Sequence, residues 1–451
     1  MQADAQDRKP ALLWRRAGPA AAVALVLLAL GIGLLFPWAA GAYYLERGGY
    51  NLDASGSAGP RLDLAEEQLQ RALTWDPDNA QAYTLLAKLY RLRGDGPRAA
   101  EALAHYVNLK PGNPNGYWQL SLVCEQLDAS ELGQVPDQAC GREESGREDA
   151  LARLWSLAGY SASDFVAAAN ESLQAERWDQ AEAHYRRALI MGPDAPAAWL
   201  GLAKLFQARG DVEAAMETYA RLIAGPANPE AVAEAHACRG EIFAAQQRWD
   251  EARDELSQAV ALMPQEGRYR LDYGWYLYRA DGPVEEVRQE LTTAATLLPQ
   301  NPTPFLRLAN ASFGQGDYQQ ALLDAEKAIE TNAANAQGWV WKGRALDRLG
   351  RLAEAESALR QAVRVGAKNA AAHAGLGDLF SQAGRIDEAI EEYEQAVALA
   401  PNQVPYRLSL AWAYRSSGQA SEAIAAYRQV LELNPENRTA KQALQALEEG
   451  E

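Results

Sequence analysis

Cysteine and histidine are scarce here: three cysteines and four histidines in 451 residues. Cys124, Cys140 and Cys238 stand too far apart for a CxxC redox motif or a zinc knuckle, so no metal site is expected. His105, His184, His236 and His373 are scattered so widely that local spacing sets no two of them to share a metal or a serine. Gly375 and Gly377 follow no strand-like run, so they do not make a nucleotide loop. No catalytic residues, no cofactor and no enzymatic activity are therefore expected. The apolar share, 48% of the chain, is rich in Ala and Leu and poor in β-branched residues, which favours helix over sheet.

Positive charge is also in deficit. The formal net charge is −17, yet the first sixteen residues hold four basic side chains (Arg8, Lys9, Arg15, Arg16) against two acidic ones (Asp4, Asp7). The remainder carries 39 basic and 58 acidic residues, a balance of −19 that repels phosphate backbones and argues against nucleic acid as a partner.

Long apolar runs are absent with one exception, the twenty-six uncharged residues 17–42. At about 1.5 Å per residue a helix of that length reaches about 39 Å, beyond a hydrocarbon core of about 30 Å. With basic residues before it and Trp38, Tyr43 and Tyr44 after it, the run reads as a transmembrane signal anchor. The short tail 1–16 is then cytoplasmic, and everything after a linker at 43–61 is periplasmic or extracellular. The competing reading is a cleaved signal peptide ending at Ala40-Gly41-Ala42, although the run exceeds the usual signal core of about 7–15 residues.

What the chain has in abundance is repetition, with a period of 34 residues. In 80–113, Tyr83, Leu86, Ala87 and Tyr90 mark one helix, and Ala99, Leu103 and Pro111 a second. The spacing recurs as Trp339, Gly343 and Leu346 with Ala355, Leu359 and Ala362; as Leu376, Gly377 and Phe380 with Ala389, Tyr393, Ala396 and Pro401; and as Leu410, Ala411 and Tyr414 with Ala423, Tyr427 and Pro435. Small residues let helix backbones approach, aromatic rings fill the wider gaps, and Gly94, Gly210, Gly316, Gly350, Gly384 and Gly418 end the first helix of each pair. This resembles the tetratricopeptide repeat (TPR), whose pattern is W-x2-L-G-x2-Y, A-x3-F, then P. The resemblance covers nearly everything after residue 62.

The expected fold is all-α: a right-handed superhelical solenoid of antiparallel helix pairs over 62–437, about ten hairpins, preceded by one transmembrane helix. Residues 62–77 read as a lone second helix, and 438–451 as a polar capping helix. The repeat beginning near 114 is stretched by an insertion near 128–146, flanked by Cys124 and Cys140; these are either a possible disulfide or two free thiols. Some members of the family carry a catalytic domain after the array, for which the few residues beyond the last hairpin leave no room.

The resemblance also implies a concave groove, lined by the first helix of each hairpin, that holds an extended peptide. On those helices Trp275, Tyr278 and Arg279 share one face by three- and four-residue spacing, as do Arg307, Asn310 and Phe313, then Trp341, Arg344 and Arg348, then Trp412 and Arg415. Arginine beside aromatic rings suits an acidic or aromatic peptide, or a sugar chain stacking on indole faces. The plainer account is that the rings pack between hairpins and the arginines are merely solvated. Neither the lysine and asparagine clamp of the family's heat-shock co-chaperones nor the asparagine ladder of its glycosyltransferase arrays is present. The expected function is a non-catalytic protein-protein interaction scaffold anchored through 17–42. The alternatives are a carbohydrate-binding accessory of polysaccharide synthesis or export, or a non-catalytic subunit of a membrane enzyme complex.

Overall fold

The computed structural model describes residues 37–53, 61–141 and 144–449, and among them every regular element is a helix. The helices form two compact units, one ending at Thr218 and one beginning at Tyr219, with the boundary inside the helix Val212–Ala224.

The N-terminal unit pairs Pro37–Asp53 with Leu62–Trp75, Ala80–Arg93 with Gly96–Leu109, Pro114–Gln126 with Glu144–Leu157, and Ala162–Gln174 with Trp178–Met191, then continues with Pro196–Arg209. In the C-terminal unit Pro229–Ala245 pairs with Trp249–Leu262, Gly267–Arg279 with Val284–Leu297, and Thr303–Gly314 with Tyr318–Thr331. Ala336–Arg348 then pairs with Leu352–Val365, Ala370–Gln382 with Ile386–Leu399, and Val404–Ser416 with Ala420–Leu433. The helix Arg438–Glu448 covers the last pair, burying Ala440 and Ala443 against it.

Three local devices explain why each stretch becomes a pair. Several first helices start on a side-chain cap: Asn335 accepts from the Gly338 amide at 3.2 Å and Asn369 from the Ala372 amide at 3.1 Å. The turn inside a pair passes through a left-handed residue such as Gly350, at φ 76°, where a side chain costs about 1–2 kcal/mol. Within each pair a residue without bulk sits where the two helices touch. A Cβ on Gly343 would stand 2.5 Å from Leu359 Cγ and 3.3 Å from the Ala355 carbonyl, and one on Gly377 would stand 2.7 Å from the Tyr393 ring. Ala321, Ala355, Ala389 and Ala423, each 34 residues from the next, are fully buried at the matching place on the second helices.

Several expectations change. The linker at 43–61 is helical as far as Asp53, so residues 62–77 are not a lone second helix. Gly48 packs beneath Leu69, Leu52 is buried, and Gly41 approaches Trp75 and Asp76. The glycines at 48 and 49 and the overlap with the apolar run hid this first helix. Among the described residues no helix is long and apolar enough to cross a membrane. The expected transmembrane helix at 17–42 lies mostly outside the described residues, and its last six belong to the first pair.

The insertion is compact rather than loose. It forms two short helices, Ala129–Leu132 and Asp137–Cys140, the first started by a reciprocal cap between Asp128 and Glu131. Leu132, Val135 and Ala139 are buried in the same core as Tyr117, Leu120 and Trp155. Cys124 and Cys140 are bonded as a disulfide, with Cα atoms 5.4 Å apart, and both are fully buried.

The two glycine roles separate by experiment. Gly350→Ala, with open space around its Cβ, is expected to cost about 1–2 kcal/mol through the backbone alone. Gly377→Ala should cost about 1–3 kcal/mol through collision with Tyr393, and trimming that ring (Tyr393→Leu) should recover part of the second loss but none of the first. Urea unfolding monitored by circular dichroism measures each.

Candidate functional site

The first helices of the C-terminal unit carry the side chains singled out above, and the structure divides them into two groups. In the first, Trp275 and Tyr278 lie with ring centroids 5.5 Å apart, and the Arg279 guanidinium covers Trp249 at 4.1 Å. Arg307 reaches back to the preceding pair, where it lies 5.5 Å from the Trp275 ring, pairs with Asp272 at 3.0 Å and donates to the Leu271 carbonyl at 2.7 Å. Both bonds come from Nη1, so Arg307 clips neighbouring pairs together, as the plainer reading has it, through one nitrogen of its guanidinium.

The second group surrounds an open pocket of about 490 Å³. Phe313 of Thr303–Gly314 forms one side, its ring 5.6 Å from Trp341 and 5.2 Å from Tyr318. Arg344 and Arg348 of Ala336–Arg348 line it together with Asp347. Asp378, Ser381 and Gln382 come from Ala370–Gln382, with Tyr393 behind them, and Trp412 of Val404–Ser416 closes the far end with 46% of its surface exposed. Of the expected groove residues, Phe313, Arg344, Arg348 and Trp412 thus share one pocket. Asn310 and Trp341 are half-buried beside it, and Arg415 is exposed on the last turn of its helix, where its charge bears on Tyr427.

Both pocket arginines already have aromatic company. Arg344 lies 5.4 Å from the Trp341 ring, and Arg348 lies 5.0 Å from Tyr318 while donating to its hydroxyl at 2.8 Å. Each carboxylate accepts one hydrogen bond. Asp378 accepts from the Tyr393 hydroxyl at 2.7 Å, and Asp347 Oδ2 accepts from Gln382 at 3.4 Å, but Asp347 Oδ1 is closed off from solvent without a hydrogen-bond partner. Asp378 is exposed to solvent at the pocket. The protein packed around it nonetheless pushes its carboxyl above the usual range by desolvation; the bond from Tyr393 and the charge of Arg344 oppose the shift, and Asp347 adds to it. Burial pushes the Tyr393 phenol up as well, reinforced by Asp378.

Asp347, Asp378, Ser381, Gln382 and Tyr393 are the residues that reading by type missed. A signal was available in the register. Asn310, Arg344, Asp378 and Trp412 lie 34 residues apart in sequence, as do Phe313, Asp347, Ser381 and Arg415. The pocket draws on both positions, taking Arg344, Asp378 and Trp412 from the first and Phe313, Asp347 and Ser381 from the second.

The disulfide-held insertion shapes a separate pocket of about 740 Å³ in the N-terminal unit, where Leu127 and Glu131 face Arg91 and Gln119. Arg91 there donates to Gln119 at 3.0 Å.

Three sequence profiles described as tetratricopeptide repeat match this chain: one at 166–229, 306–364 and 344–404, a second at 60–121 and 380–447, and a third at 233–266. Among solved structures, a thermophilic TPR protein of Thermus thermophilus is 26% identical, over 40% of this chain and 98% of its own, with TM-score 0.35. The Cut9–Hcn1 hetero-tetramer of the APC/C is 16% identical over 86% of this chain and 83% of that one, with TM-score 0.44. Yeast Tom70 is 17% identical over 84% and 96%, with TM-score 0.41. A comparison with curated proteins gives no match.

The raised carboxyl of Asp378 has a consequence for stability. A group whose pKa is higher folded than unfolded adds stability below its unfolded value and loses it as pH rises through the folded one, so at pH 7 the ionised Asp378 is a cost, kept small by its exposure to solvent. Asp378→Asn keeps an acceptor for Tyr393 and is expected to raise the urea midpoint at pH 7. The gain should vanish near pH 3, and equal midpoints at pH 7 would show that the cost is absent.

Proposed function

The chain belongs to the tetratricopeptide repeat family, and from that premise we propose that it is a non-catalytic scaffold that binds a partner protein through an extended segment lying along the first helices of its C-terminal unit. The pocket between Phe313 and Trp412 carries this reading. It is open, walled by aromatic rings and supplied with both signs of charge, and it draws on four successive helix pairs, the span an extended chain follows. A half-exposed indole at its rim is the kind of side chain on which protein interfaces concentrate binding energy. The same indole favours the glycan reading, in which a sugar ring stacks on Trp412.

We further propose that the array is displayed outside the cytoplasm, tethered through the apolar run. With the first pair beginning at Pro37, residues 17–36 remain for the membrane, and at about 1.5 Å each twenty residues still match a core of about 30 Å. The buried Cys124–Cys140 bond fits an oxidising compartment, where such bonds persist.

Pull-down with the purified full chain from native envelope extract tests the scaffold. A protein partner should be retained, and Trp412→Ala should reduce its retention about tenfold, the effect of about 1.4 kcal/mol. Glycan retained in place of protein supports the carbohydrate reading, and no retention above an unrelated TPR array removes both. The topology is checked separately. Protease added to the outside of intact spheroplasts should digest the repeats while leaving a short membrane-embedded fragment, and Cys124 and Cys140 should be recovered bridged; repeats protected until lysis would overturn the display outside the cytoplasm.

A further inference from the structure

The helix Pro37–Asp53 opens the first pair, and no described pair precedes it. Gly48 meets Leu69 of its own partner helix just as Gly343 meets Leu359, so the two first helices can be laid in one register. Tyr43, Arg47 and Tyr50 then fall where Ala336–Arg348 carries Gly338, Lys342 and Ala345. Those three face the preceding pair. A Cβ on Gly338 would stand 3.0 Å from Ile329, Lys342 pairs with Glu326 at 2.8 Å, and Ala345 is buried in one cluster with Ala321 and Leu322. In the same register Ala311, Leu379 and Ala413 are each at most 4% exposed. Tyr43 is instead 51% and Tyr50 76% exposed, and Arg47 lies open between them with its guanidinium 5.4 Å from the Tyr43 ring. Large amphipathic rings thus stand uncovered where interior pairs carry side chains that a neighbour encloses.

We propose that this open face lies on a membrane surface, with Tyr43 and Tyr50 in the interfacial layer and Arg47 among the lipid phosphates. This rests on the reading of residues 17–36 as the membrane tether. The apolar run ends immediately before Pro37, so the helix begins where the bilayer does. The interfacial layer is about 5–8 Å deep on each side of the hydrocarbon core. A helix standing upright from Pro37 would lift Tyr50, thirteen residues on, about 20 Å away and out of that layer. Lying along the surface, it brings both rings and Arg47 into the layer together. Pro37 allows the turn, because proline disfavours helical backbone in the residue before it and the apolar run need not continue straight into this helix. The chemistry agrees. Tyrosine offers an apolar ring with a polar tip, arginine pairs with phosphate, and exposed Glu46 beside Arg47 leaves the face without net charge. A further helix pair stacked as in the interior does not suit this face, since two tyrosyl rings fill the room its second helix would need.

The full chain reconstituted into phosphatidylcholine–phosphatidylglycerol vesicles tests this, with an environment-sensitive NBD label on Glu46→Cys, between the two rings, or on Thr439→Cys, exposed in the last helix. Cys124 and Cys140 are bonded and Cys238 is buried, so the introduced thiol takes the label. The label at 46 should emit at shorter wavelength than the one at 439, resist quenching by aqueous iodide, and be quenched by lipid spin-labelled at the headgroup. Tyr43→Ser combined with Tyr50→Ser should abolish all three effects while the chain still floats with the vesicles. Equal iodide quenching at 46 and 439 in a floating chain overturns the surface contact and leaves the tether standing. Shielding from iodide without quenching by the spin-labelled lipid overturns it in favour of cover by the chain's own N-terminal residues or by a second copy. Contact that survives the double substitution overturns the role given to the rings. Failure of the unaltered chain to float overturns the tether, and this face with it.

Discussion

Close approach of the two helices within a pair is the constraint on which the rest depends. Gly343 lies against Leu359 and the Ala355 carbonyl, Gly377 lies against the Tyr393 ring, and neither place has room for a methyl group. Once that distance is set, the alanines of the second helices are fully enclosed and the Tyr and Phe rings fill what remains between pairs. The inner face follows from the same geometry. Side chains at one register position of each first helix are brought side by side although they are 34 residues apart in the chain.

That constraint also explains which parts of the fold were legible. A residue type demanded by packing recurs with the period, so the pairs from 80 onward declare themselves through Ala, Gly, Tyr and Pro. The helix Pro37–Asp53 does not, because it begins inside an apolar run and carries Gly48 and Gly49 where a good helix former would stand. The insertion was visible as a break in the period, but its two short helices and its bond depend on a distance between Cys124 and Cys140 that spacing cannot supply.

At the candidate site, reading by residue type found the aromatic and arginine half and missed the carboxylate half. Arg307 shows the cost of that approach: it has the residue type of a groove arginine, but one of its nitrogens is tied to Asp272 and the Leu271 carbonyl. Arg344 and Arg348 have the same type and are far less committed. The number of protein partners a guanidinium already has separates a structural arginine from a candidate ligand-binding one, and sequence does not contain that number.

The three left-handed turns that lack glycine, at Glu176, Gln247 and Asp281, end first helices just as Gly350 and Gly384 do elsewhere. These turns keep the left-handed backbone even where glycine is replaced, while the inner register positions hold four unlike residues: Asn310, Arg344, Asp378 and Trp412. The array separates the positions that hold it together from inner positions free to differ, in the manner of a rack whose slots accept different cards. Duplication of one 34-residue unit would deliver a ready frame with a blank slot, and a single codon change there would alter the inner face while the architecture stays constant.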